Sequence, residues 1–300
     1  MYYLIYGFLY LLSLLPFPII YGIGSGVYIL LYYVFGYRRE VVMQNLFIAF
    51  PEKSEAERLR IAKQFYKSFI DTFIETIKVI SMSDKEFDKR TVGDFDQVNA
   101  LIAQGRNIQV MGGHQFNWEF ANLVFAKRLN VLNIGVYGAI GNKTMERVFL
   151  KIRSKYGTLL VSTAEFKLRT KELTANPYAM YLVADQNPLP QNGYWMYYFS
   201  KPVPFIMGPH KAAVKTNSVI VFSSFYKVKR GHYSFNIDQI IEQPTQYKPE
   251  AIALMYRNYL ESVIRKQPEN YLWSHRRWRY DYSVAYQQNW IDTKPAPIVN

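Results

Sequence analysis

Glu119 stands five positions after His114 in the run Gly112-Gly113-His114-Gln115-Phe116-Asn117-Trp118-Glu119. An imidazole with one ring nitrogen held by a carboxylate keeps a defined tautomer, and its other nitrogen is a base near neutral pH. That pairing suits removal of a proton from an alcohol. Within a single helix the two side chains would diverge by roughly 140°, at about 100° per residue. They meet only if His114 lies in the turn before a helix and Glu119 lies inside it. Taken alone, the spacing also fits a capping or core histidine. A second acid, Asp185 in Asp185-Gln186-Asn187-Pro188, could orient a partner, bind an arginine or form a turn.

The surrounding pattern predicts how these side chains are positioned. Ile108 to Met111 reads as a short buried strand ending in paired glycines, and Glu119 to Ala126 has helical spacing. His114 therefore sits where a strand turns into a helix, a place that offers free backbone N–H groups. Further on, Val131 to Tyr137, Leu159 to Val161 and Tyr178 to Ala184 read as strands. Lys143 to Lys155, Glu165 to Leu173 and Pro249 to Arg265 read as helices, and Val219 to Lys227 with His232 to Ile237 as a hairpin. This rhythm predicts an α/β fold with a mixed, mainly parallel sheet flanked by helices. Sites in such sheets gather at the strand C-terminal ends, so His114 and Asp185 could face one cleft. Upstream, Arg38 to Pro51 reads as a helix, Ser54-x-x-Glu57 as a capping box opening a helix to Ile80, and Phe87 to Asn99 as irregular or strand-like.

Composition narrows the classes. Three hundred residues can bury a sizeable core, and the absence of cysteine excludes disulfides, thiolate zinc sites and a cysteine nucleophile. The four histidines are dispersed and lack a His-Glu-x-x-His pair, so no metal site is expected; His210 and His232 read as structural or solvated. A net charge of +13 favours an anionic partner, and 17% aromatics suit a lipid–water boundary. With no aromatic nucleic-acid signature or repeat, a nucleic-acid partner is not expected.

Residues 1–36 form an apolar segment broken by Pro16-Phe17-Pro18 and ended by Arg38-Arg39. Each half is near or below the roughly 20 residues of a spanning helix. A kinked membrane helix or an interfacial helical pair in one leaflet is expected, a buried soluble hairpin being the alternative. The division is thus a membrane-associating segment, 1–36, and one catalytic domain, 37–300.

Several motifs now stand in order: Leu15-Pro16-Phe17-Pro18, Arg38-Arg39-x-Val41-Val42-x-x-Asn45-Leu46, Phe50-Pro51-Glu52, the His114/Glu119 pair, Arg153, Asp185-Gln186, and Pro268-Glu269-Asn270-Tyr271-Leu272-Trp273-Ser274-His275-Arg276-Arg277-Trp278. Over nearly the whole chain they resemble the bacterial lipid A (Kdo2-lipid A) late acyltransferases of the lysophospholipid acyltransferase superfamily. The resemblance implies a glycerol-phosphate-acyltransferase-like fold on the cytoplasmic face of the inner membrane. It implies transfer of an acyl chain from an acyl carrier protein thioester to a hydroxyl of a lipid A precursor, with no cofactor. His114 would be the general base and Glu119 its orienting partner, with Arg153, Asp185, Gln186, Arg276 and Arg277 binding substrate. An oxyanion could be held by backbone N–H groups near Gly112-Gly113. The segment Tyr198-Phe199-Ser200-Lys201-Pro202 lacks the glycine common after that aromatic pair, and Asn187-Pro188 is a local variation. Both bear on the acceptor, so another lipid acceptor stays open, as does a non-catalytic basic protein of the membrane surface.

Overall fold

The computed structural model describes residues 1–138 and 140–298. The chain opens with two apolar helices, α1 (Tyr2–Leu14) and α2 (Phe17–Ile29), the latter prolonged by a π-helical turn, Leu30–Val34. Pro16 separates them with an extended backbone, and Pro18 falls in the first turn of α2, where a missing N–H costs nothing. Lys78 donates to the Ser13 and Leu15 carbonyls at 2.6 and 2.8 Å, closing the C-terminal end of α1. Two helices follow, α3 (Arg39–Ala49) and α4 (Glu55–Lys78). The expected capping box opens α4, with Ser54 accepting from the Glu57 amide and Glu57 from the Ser54 amide. Helix α2 buries Ile20, Gly24, Tyr28 and Tyr32, one face at steps of four, and packs on α4. Its other face leaves Ile19, Ile23, Val27, Leu30 and Val34 uncovered by protein.

Next come α5 (Asp84–Arg90), β1 (Thr91–Gly93) and α6 (Asp96–Ala103). The stretch from Phe87 to Asn99, expected to be irregular or strand-like, holds the short strand β1 but also the end of α5 and the start of α6, and the helical parts correct that reading. Ser83 caps α5 by accepting from the Glu86 amide, and Lys89 and Arg90 sit in its last turn, favourable against the helix dipole.

The α/β rhythm then runs β2 (Ile108–Gly112), α7 (Trp118–Arg128), β3 (Leu132–Tyr137), α8 (Lys143–Arg153), β4 (Leu159–Ser162), α9 (Thr163–Leu173) and β5 (Tyr178–Val183). A hairpin of β6 (Gly193–Tyr198) and β7 (Lys201–Ile206), not foreseen from the sequence, forms its own two-stranded sheet. Its Pro202 and Pro204 are tolerated because β7 pairs on one side only. The chain continues through α10 (Gly208–Thr216), β8 (Val219–Lys229), β9 (His232–Ile241) and α11 (Pro249–Lys266).

The main sheet has the order β1-β9-β8-β2-β5-β3-β4. Strands β8, β2, β5, β3 and β4 run parallel to one another, β9 is antiparallel to β8, and β1 is parallel to β9. Strand β2 is buried at every residue, as expected of a central strand covered by helices on both faces. Its register against β5 sets Gly112 beside Val183. Two residues beyond each of these lie His114 and Asp185.

Candidate active site

His114 and Asp185 meet directly. The His114 ring Nδ1 lies 2.6 Å from Asp185 Oδ1, and the His114 backbone N–H donates to Asp185 Oδ2 at 2.9 Å. Packing is close at Gly113, where a Cβ would come within 2.9 Å of Leu260 Cδ2 and that side chain would have to shift. Burial alone would raise the Asp185 carboxyl, but the charge of His114 and its hydrogen bonds hold it well below the usual carboxylate range. An ionised Asp185 accepts from Nδ1–H, which leaves Nε2 facing the cavity. At 3.1 Å from Nε2 stands the Gln186 amide nitrogen, which donates to it. The His114 amide, engaged by Asp185, does not serve an oxyanion.

The expected partnership of His114 with Glu119 is corrected by this geometry. Glu119 lies in the first turn of α7, as foreseen, but its carboxylate is held by Arg153: Nε to Oε2 at 2.7 Å and Nη2 to Oε1 at 2.5 Å. Trp118 adds an indole N–H to Oε1 at 3.2 Å. Burial opposes the Arg153 charge, yet its hydrogen bonds to Glu119 and the charge opposite raise its pKa. The planar fork of an arginine suits this two-point grip. Both His114 and the Glu119–Arg153 pair line one cavity of about 450 Å³, whose remaining wall is largely apolar and includes Val136, Leu160, Leu182 and Ile206. Asp185 Oδ1 and Oδ2 thus do what the sequence assigned to Glu119, at a separation of 71 residues.

The turn carrying His114 is gripped from three sides. Its carbonyl accepts from the Leu272 amide at 3.1 Å, and the Phe116 amide donates to the Asn270 carbonyl at 3.2 Å. Asn45 then donates to the carbonyls of Trp273 and His275, both at 2.7 Å, and Arg38 to that of Ser274 at 2.9 Å. The motif around Asn45 and the one around Asn270 are therefore two halves of one clamp on the turn that carries His114. From below, Asn117 caps α7 by accepting from the Glu119 and Phe120 amides, and donates to buried Glu75 at 3.1 Å. Glu75 also accepts from Tyr233 at 2.6 Å and Tyr21 at 3.0 Å. Nothing in the local sequence marked Glu75; its only signal was an acid on the apolar face of a long helix.

The two arginines of the C-terminal motif part company. Arg276 is exposed and, with Arg38 and Arg39, lines a basin of about 720 Å³ near the end of the α2 segment. Arg277, expected to bind substrate, is instead buried at 2% exposure. It donates to the Pro204 carbonyl at 3.0 Å and to Asn187, and lies over the Phe205 ring, joining the β6–β7 hairpin to the Gln186 loop. Between them, burial and Arg277 push His275 down to about 4, so it is neutral at pH 7.

A model of the family described as bacterial lipid A biosynthesis acyltransferase matches residues 1–280. The chain is 25% identical over 281 residues to the lipid A biosynthesis lauroyltransferase of Escherichia coli K12, covering 91% of this chain and 89% of that protein. It is 24% identical over 286 residues to the lipid A biosynthesis palmitoleoyltransferase of the same organism, with the same coverage. The lipid A biosynthesis acyltransferase of Shigella flexneri matches equally, at 24% over 286 residues.

Proposed function

Given that the chain belongs to the bacterial lipid A biosynthesis acyltransferase family, we propose a reaction in which His114 Nε2 is the general base and Asp185 the group that orients it. The protein is an acyltransferase acting in lipid A, and hence lipopolysaccharide, biosynthesis. The observation that supports the mechanism is the His114–Asp185 pair, which occupies Nδ1 and turns Nε2 to the cavity wall. The acceptor hydroxyl displaces the Gln186 amide from Nε2 and gives it its proton as the oxygen attacks the thioester carbonyl carbon. The tetrahedral intermediate then collapses with loss of the C–S bond, and the imidazolium returns the proton to the leaving thiolate. No acyl-enzyme forms. The donor is an acyl carrier protein thioester, and its acyl chain occupies the apolar part of the 450 Å³ cavity. The Glu119–Arg153 pair sits in that cavity beside the reacting groups and positions the substrates.

The acceptor is a lipid A precursor at the cytoplasmic face of the inner membrane. Its anionic groups are met by the basin of Arg38, Arg39 and Arg276, whose backbone is tied to Asn187 next to Gln186. The α1–α2 pair associates with the bilayer through its uncovered apolar face. The test is an assay of purified protein with acyl carrier protein thioesters of several chain lengths and a lipid A precursor, read by mass spectrometry. One added acyl chain on the precursor is expected. Transfer to a lysophospholipid or amino-acid lipid, with none to the precursor, would overturn the acceptor; transfer from coenzyme A thioesters alone would overturn the donor.

A further inference from the structure

A second cavity, of about 450 Å³, lies between α2, α4 and the β8–β9 turn, away from His114. Three cations line it, Lys67, Lys227 and Arg230, against one carboxylate, Asp71. Asp71 is buried and fixes two of them: Lys227 Nζ donates to it at 3.0 Å, and Arg230 through Nε at 3.0 Å and Nη2 at 2.6 Å. Arg230 is also anchored on α2, donating to the Tyr21 carbonyl at 3.2 Å and lying over the Tyr21 ring. Lys67 has no carboxylate partner among the described residues and stands 5.6 Å from the Tyr28 ring centroid. The charge of the site is therefore positive and held in place by a buried acid.

The other wall decides which anion fits. Gly24 and Ser25, both small, line the cavity from α2, as does Ile29. Ile29 is 53% exposed and adjoins the uncovered stripe of Ile23, Val27 and Leu30. A ligand seated on the cations would extend along apolar side chains with no protein over them. We propose that this cavity binds the phosphate of an anionic phospholipid, its acyl chains lying along α2. Cations flanking the middle of α2 also set that helix along the interface rather than across the bilayer, because they belong at headgroup depth. The site rests on the reading that α1–α2 contacts a membrane.

The experiment uses the full chain in non-ionic detergent, titrated with dihexanoyl phosphatidic acid below its micelle concentration. Saturable binding is expected, with none for dihexanoyl phosphatidylcholine. Lys67→Gln should weaken binding about five-fold, the worth of one lysine at an anionic lipid surface, whereas Lys171→Gln on α9 should change it less than about two-fold. Equal affinity for the choline lipid, or wild-type affinity in Lys67→Gln, would overturn the proposal. So would inorganic phosphate binding as tightly as the lipid, which would assign a free anion. Sedimentation with phosphatidylcholine vesicles separately tests membrane contact: failure there refutes the membrane reading on which the site rests, whereas vesicle binding with the lipid titration lost refutes the headgroup site alone.

Discussion

Asp185 receives both a ring proton and a backbone amide from His114, so a single carboxylate fixes the tautomer of the imidazole and the shape of the turn that bears it. The two residues follow strands paired in parallel, three helices and two strands apart in the chain, and their alignment follows from the Gly112–Val183 register. Rate and local stability are therefore linked at this pair.

Removing the base should cost most. His114→Ala is expected to lose about 10²–10⁴-fold in turnover, the usual worth of general-base catalysis. Asp185→Asn keeps the size but offers an amide to Nδ1, so the ring can turn its proton toward the substrate; a comparable loss in kcat is expected with little change in KM. Both are read by steady-state acyl transfer on protein whose circular dichroism matches wild type. Wild-type turnover in a folded His114→Ala protein would sink the mechanism.

The Glu119–Arg153 pair separates structural from chemical roles. Arg153→Met leaves a buried carboxylate unpaired and should destabilise by up to about 3–5 kcal/mol, less whatever solvent at the partly exposed arginine recovers. The double variant Glu119→Gln, Arg153→Met should regain most of that stability in urea unfolding. Acyl transfer should stay low in all variants. Activity recovering along with stability would reduce the pair to a structural strut.

Glu75 tests whether the floor of the site matters for rate. Burial pushes its carboxyl up, and its oxygens answer Tyr21, Asn117 and Tyr233. Glu75→Ala strands these groups and should cost about 1–3 kcal/mol for each one left without a partner. Glu75→Gln preserves the volume and part of the network, so it should fold and bind substrate with near-normal KM but a reduced kcat, through a loosened Asn117 cap. An unchanged kcat in Glu75→Gln would confine Glu75 to stability.

A pH effect should trace to His210. Burial pushes it from 6.5 down to about 3, and both ring nitrogens are buried without a hydrogen-bond partner. The folded state holds it neutral while the unfolded chain binds a proton below 6.5. Its contribution is therefore complete above that value and is lost as pH falls toward 3, at up to about 1.4 kcal/mol per pH unit. His210→Phe should flatten the stability curve in that window relative to wild type, measured by urea unfolding at pH 7, 5 and 4. Parallel curves for the two proteins would contradict this.

Membrane attachment is best tested without deleting residues 1–36, because Ile20, Tyr28 and Tyr32 belong to the main core and Lys78 closes α1. Ile23→Ser, Val27→Ser and Leu30→Ser together alter only the uncovered stripe. Each fully inserted side chain contributes about 1.5–3 kcal/mol, so the triple variant should leave vesicles while keeping its melting temperature within a few degrees. Retention on phosphatidylcholine vesicles would place the contact elsewhere.

Local pattern carried the main elements of the fold and half of the site. The apolar pulses at Ile108 to Met111 and Tyr178 to Ala184 announced β2 and β5, and the paired glycines announced the turn with His114, because burial and chain reversal each leave a periodic or compositional mark. The Phe87 region and the β6–β7 hairpin escaped because short elements are stabilised by what they pack against rather than by their own propensity. Partner choice escaped for a related reason. Glu119 was the carboxylate nearest in sequence, and its position in α7 was legible, but a hydrogen bond depends on distance in space. Only strand pairing brings Asp185 beside His114, only helix docking brings Arg153 to Glu119, and only packing hides Arg277 while leaving Arg276 in solvent. Sequence spells out which groups can do chemistry; the register of β2 on β5 decides which carboxylate reaches the base.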